Sequence, residues 1–145
     1  MDYRELFRKL EDPNTDHYLR LRCFWTAYYA PAARRENTSR PFEHTYEHTY
    51  EHTKRSVLFD IMKRFIPDIL QGAYTEVVKT AFYNFAVQMF NEETNAQNAR
   101  ILAQFSKWGA SYQQDALQRI DRVCKSRNGG NEFENILFDL RCCRY

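Results

Sequence analysis

The chain has 145 residues, 43% of them hydrophobic and 16% aromatic, enough for one domain over 1–145 with a sizeable core. A formal net charge of +2 gives no electrostatic case for nucleic acid as a partner. The N-terminal MDYRELFRKLED lacks the apolar stretch of a signal peptide, and no run approaches the ~20 apolar residues needed to cross a bilayer, so a soluble chain with no integral membrane segment is expected.

With 4 Gly and 4 Pro there is little punctuation, which favours long helices. Residues 2–10 suit a short helix with Leu6 and Leu10 on one side. Asp12-Pro13-Asn14 reads as a turn, and Thr15 or Asp16 can cap the next helix. That helix runs to about Ala30, with Leu19, Cys23, Trp25, Ala27 and Tyr28 as its apolar material, and Pro31 ends it. A polar connection follows to Pro41.

Residues 42–53 repeat Glu-His-Thr with a period of four, close to one helical turn. Phe42, Tyr46 and Tyr50 share one face, and His44, His48 and His52 a neighbouring one. Three histidines along one straight helix seldom converge on a metal, and no HExxH accompanies them, so Tyr inward and Glu/His outward is the preferred reading. No cofactor is expected. Val57, Leu58, Ile61, Met62 and Phe65 continue at helical spacing until Pro67 and Gly72 interrupt.

The stretch 74–91, YTEVVKTAFYNFAVQMFN, is apolar over most of a helical circumference. Only Glu76, Thr80, Asn84 and Gln88 form a narrow polar stripe. It reads as a buried central helix about 27 Å long. Asn91-Glu92-Glu93 closes it. Thr94 to Gln97 has the form of a capping box opening the next helix. The stripe Ile101, Phe105, Trp108, Tyr112, Leu117, Ile120 and Val123 carries that helix to about Lys125. Asn128-Gly129-Gly130 stops it, and 132–140 form a last helix with Phe133, Ile136, Leu137 and Leu140 inward. The fold class is therefore all-α, six to eight helices around one buried helix. Cys23, Cys124, Cys142 and Cys143 show no CxxC spacing; reduced thiols are expected, with a disulfide through Cys142 and Cys143 as the alternative.

The chain has no GxGxxG, no P-loop, no GxSxG and no convincing acid/base pair, so it reads as an interaction module and not an enzyme. Three stretches resemble the Bcl-2-like apoptosis regulators. Ala81-Phe82-Tyr83-Asn84-Phe85-Ala86 is similar to the Arg-Ile-Val-Ala-Phe-Phe-x-Phe-Gly-Gly of the family's fifth helix. Trp108-Gly109-Ala110-Ser111-Tyr112 is similar to its Trp-Met-Ala-Thr-Tyr. Asn128-Gly129-Gly130-Asn131-Glu132, followed by Leu137-Phe138, is similar to its second homology motif. Their order and separations agree with the family over residues 74–140. A second register, in which Arg100 to Phe105 match the fifth helix, leaves too little chain before Asn128 for two helices.

The resemblance implies a Bcl-2-like helical bundle without a C-terminal anchor, of the kind large DNA viruses carry. It implies an anti-apoptotic protein that sequesters the Bcl-2 homology 3 helix of pro-apoptotic proteins such as Bim in an apolar groove. It would act in the host cytoplasm at the mitochondrial outer membrane surface. Tyr46, Tyr50, Leu58, Ile61, Met62 and Phe65 would line the groove, Val78, Ala81 and Phe85 its floor, and Phe138 one end. The family's groove arginine is replaced by Val78; Lys79 beside it is the candidate counter-charge for the ligand's aspartate, and narrow partner choice is expected. Two alternatives stand beside this: a groove-occluded module acting by homodimerisation or on inflammatory signalling, and a small metal protein using His44, His48 and His52.

Overall fold

The computed structural model describes residues 3–30, 54–126 and 131–145, and the regular structure within them is helical with no strand, as the all-α expectation requires. The chain forms two compact units, Met1–Ile66 and Pro67–Tyr145. The repeat with His44, His48 and His52, together with Tyr46 and Tyr50, lies outside the described residues.

In the first unit, α1 (Tyr3–Glu11) buries Leu6 and Leu10, one turn apart. Asp12 then accepts from the Asn14 amide at 2.9 Å and forms the turn. Asp16 caps α2 (His17–Tyr29), accepting from the amides of Tyr18 and Leu19. The inner face of α2 differs from the apolar set expected. Leu19 is exposed and Trp25 half-buried, while Arg20, Leu21, Cys23, Phe24, Ala27 and Tyr28 are buried. The next helix, α3, is described over residues 54–63 and buries Leu58, Phe59, Ile61 and Met62. The Phe59 ring lies 5.7 Å from that of Phe24 and 6.0 Å from that of Tyr28.

Two buried cations close the ends of helices in this unit. Helix C-termini leave carbonyls without intrahelical partners, and they carry partial negative charge. Arg20 is fully buried; its Nε donates to Leu10 O at 2.9 Å, and its Nη2 to Asp12 O. Its Nη1 meets His17 Nδ1, and the guanidinium sits 3.5 Å from the centroid of the Phe65 ring. Lys54, also buried, donates to Ala30 O at 2.8 Å, at the end of α2.

The second unit holds most of α4 (Ile66–Gln71), then α5 (Glu76–Glu92), α6 (Ala96–Gln104), a 3-10 turn (Phe105–Trp108), α7 (Ala110–Ser126) and α8 (Asn131–Arg141). The helix read as a pillar is α5, and it buries one face: Phe82, Tyr83, Phe85, Ala86, Met89 and Phe90. Its other side carries the polar stripe and also Val77, which is 80% exposed. The most enclosed helix here is α6, which touches α5, α7, α8 and the 3-10 turn. Ala96, Asn98, Ala99, Ile101, Leu102 and Ala103 are all buried, and the three alanines let neighbouring backbones come close. Periodicity over 74–91 missed this, because a short helix of small residues gives a weak hydrophobic signal.

Two further expectations are corrected. The cap of α6 is Asn95, which accepts from Asn98 N at 2.8 Å; the Thr94 hydroxyl instead donates to Phe90 O at the end of α5. The stripe from Ile101 to Val123 is broken into α6 and α7. Gly109 breaks it, with φ 144° and ψ 170°, a conformation that a side chain resists. Trp108 anchors the break by donating its indole N–H to Leu70 O at 3.1 Å. The last helix ends as a Schellman turn: Cys143, at φ 56°, donates to Leu140 O, and Arg144 donates to Asp139 O.

Candidate partner surface on α5

Thr75 starts α5, its hydroxyl accepting from Val78 N at 3.4 Å, and Glu76 places a negative charge in the first turn. Lys79 lies one turn on, its Nζ 3.5 Å from Glu76 Oε1. The other Glu76 oxygen accepts from the Tyr112 hydroxyl of α7 at 3.2 Å. Lys79 is thus held against an acid, and its side chain remains 23% exposed. Val77 points to solvent, and Val78 and Ala81 are half-buried; Val77 and Ala81 lie one turn apart on one side of α5, Lys79 with Glu76 on the other, and Val78 between them.

Behind this surface an aromatic group holds α5 to α7. Tyr83 is edge-on to Phe105 and Tyr112, at 5.9 and 5.3 Å between centroids. Its hydroxyl donates to Asp115 Oδ2 at 2.6 Å, and the same oxygen accepts from Arg119 Nε at 2.7 Å. Burial, then the hydrogen bond to Asp115 and the charge of that carboxylate, push the Tyr83 phenol far above its ordinary range. Burial pushes the Asp115 carboxyl up, but hydrogen bonds from Tyr83 and Arg119 and the Arg119 charge outweigh it and hold the group below its ordinary value.

The signs follow by linkage. Asp115 adds stability above the ordinary carboxylate value, which is lost as pH falls through its depressed folded value. Tyr83 adds stability that is full below the ordinary tyrosine value near ~10 and declines as pH rises above it, because only the unfolded chain ionises there. Tyr83→Phe is therefore expected to cost about 1 kcal/mol at neutral pH. Its urea midpoint should also fall less steeply than that of the wild type above pH ~10. Parallel alkaline slopes in the two proteins would contradict this.

The expected groove residues fall into distinct settings. Leu58, Ile61 and Met62 are buried in the first unit, and Phe65 is half-buried under the Arg20 guanidinium. In the second unit Phe85 is fully buried, while Val78, Lys79 and Ala81 share the opening turns of α5. Phe138 is 54% exposed on α8. It lines a cleft of about 560 Å³ with Leu137, Asp121, Cys124, Glu134 and Arg141 among its walls. Asp121 there pairs with Lys125 at 3.0 Å and lies 3.9 Å from Arg141.

Sequence reasoning missed Tyr83, Asp115 and Arg119 as a unit. The i,i+4 spacing of Asp115 and Arg119 was the available signal. Among the described residues no group of three or more His, Cys, Asp or Glu side chains could hold a metal ion, and no helix is long and apolar enough to cross a membrane. No family model matches the chain, and no curated protein or solved structure matches it either.

Proposed function

We propose that this protein is a helix-binding interaction module that sequesters the death-promoting helix of a pro-apoptotic Bcl-2 family protein, acting at the mitochondrial outer membrane surface of a host cell. The observation that carries the reading is the first two turns of α5. There Val77, Ala81 and Val78 offer apolar contact, and Lys79, on the far side of Val78, a positive charge, which an amphipathic helix carrying an aspartate would meet. Glu76 competes with that aspartate for Lys79. The contact is then a point charge shared between two acids, weaker than the fork of an arginine, which supports narrow partner choice.

The test is fluorescence anisotropy with a labelled peptide of such a helix. The wild-type chain is expected to bind; Lys79→Ala should weaken binding by about 5-fold, the worth of a solvent-accessible ion pair. Glu76→Gln should strengthen it, and both effects should vanish when the peptide's aspartate is replaced. No binding to any peptide of this class would remove the reading.

The full burial of Leu58, Ile61 and Met62 within the first unit, and of Phe85 within the second, favours a second reading, in which these side chains are core of their own units and none is open to a ligand helix. The module would then act by homodimerisation. Sedimentation equilibrium separates the two: a concentration-dependent dimer without peptide binding supports the second, and a peptide-binding monomer supports the first.

A further inference from the structure

We propose that Cys142 and Cys143 form a paired S-acylation site that fastens the end of α8 to an anionic phospholipid surface. The four cysteines differ sharply: Cys23 is buried, Cys124 half-buried, and only the adjacent Cys142 and Cys143 are exposed. The Schellman turn sets these two beyond the regular part of α8. Gln113 of α7 steadies it, donating to Leu140 O at 2.6 Å and to Cys143 Sγ at 3.3 Å.

What surrounds the thiols matches a lipid interface. Phe138 is a large exposed ring one turn before Cys142, and the Arg144 guanidinium lies 5.3 Å from its centroid. Arg141 and Arg144 flank the pair, with side chains 56% and 62% exposed. Their contacts to Asp121 and Asp139, at 3.9 and 3.5 Å, are long and solvent-screened, so lipid phosphates can compete for both guanidinium groups. An aromatic ring beside basic side chains is the composition that settles at headgroup depth.

The chemistry is thiol exchange with a long-chain fatty acyl-coenzyme A. The cysteine sulfur attacks the acyl carbonyl, and a new carbon–sulfur bond forms as the bond to coenzyme A breaks. Coenzyme A leaves as its thiol, carrying the cysteine's proton, and no oxidant is needed. Adjacency matters because one acyl chain gives only marginal, reversible membrane binding, whereas two anchor stably. This inference is independent of helix binding by α5.

The full chain, expressed in eukaryotic cells, is tested by hydroxylamine-dependent exchange of acyl groups for a mass tag. Two mass steps are expected, retained in Cys124→Ser and lost in the double variant Cys142→Ser/Cys143→Ser. The doubly acylated protein should sediment with phosphatidylcholine–phosphatidylserine vesicles about tenfold more than the serine variant. Arg141→Gln/Arg144→Gln should reduce that binding at low salt. The proposal is overturned by an absence of hydroxylamine-dependent tagging, by tagging that survives in the serine variant, or by an acylated chain that stays in the supernatant. A tag released by reductant alone would mean a disulfide and overturn it equally.

Discussion

Arg20→Leu is expected to lower the stability of the first unit by about 2–4 kcal/mol, although it exchanges a buried charge for an apolar side chain. Replacing a buried ion pair with hydrophobes can be neutral when both partners are removed. Here the acceptors include Leu10 O and Asp12 O, which are backbone and stay in place. Leu10 O would lose its charge-assisted donor at a site where the arginine is fully covered, and an unmet buried carbonyl costs about 1–3 kcal/mol, whereas Asp12 O keeps the Thr15 amide at 3.1 Å. The cation facing the Phe65 ring is lost as well. Arg20→Lys should recover only part of the loss, since one ammonium cannot span the Nε and Nη2 acceptors in the geometry of the fork. Trp25, on the same helix, reports the change: in a Trp108→Phe background its fluorescence transition in urea should shift to lower denaturant. An unshifted midpoint would mean that water satisfies the end of α1.

Phe105→Ala should cost the second unit about 3–5 kcal/mol, the range for a large aromatic removed from a closed core. Phe105 is fully buried where α6 gives way to the 3-10 turn. Its ring is 5.0 Å from Trp108, edge-on at 88°, and 5.9 Å from Tyr83. Removing it unseats Trp108, whose indole also closes the Leu70 carbonyl, and leaves a cavity beside the Tyr83–Asp115 hydrogen bond. In a Trp25→Phe background the Trp108 emission should move to the red, and the urea midpoint should fall. A small shift would show that α6 collapses to fill the space, the variable that sets the spread of such costs.

Much of the helix order was legible, because apolar spacing and caps are local. The Asp16 cap and the close of α5 near Glu93 follow from short-range chemistry. The burial of Arg20 was not legible. A lone arginine at helical spacing looks like an outward residue, and only the end of α1 gives it a reason to turn in. The enclosure of α6 was hidden for the opposite reason: alanines and Asn98 carry little hydropathy, yet small size is what permits close packing. The break at Gly109 was masked by the apolar stripe running through it, since a periodic pattern does not register a single glycine at φ 144°. At the candidate surface, Lys79 was legible as a cation beside Val78, but the Tyr112 support that α7 gives its partner Glu76 depends on packing across helices.

The central claim is that the opening turns of α5 receive a partner helix. It is tested most directly by titrating the isotope-labelled chain with the pro-apoptotic helix peptide and following its amide resonances. The account predicts the largest shifts at Val77, Val78, Lys79 and Ala81, with the Lys79 shift reduced when the peptide's aspartate is replaced. Saturable binding whose shifts leave these four residues unmoved, or no binding at all, would contradict it.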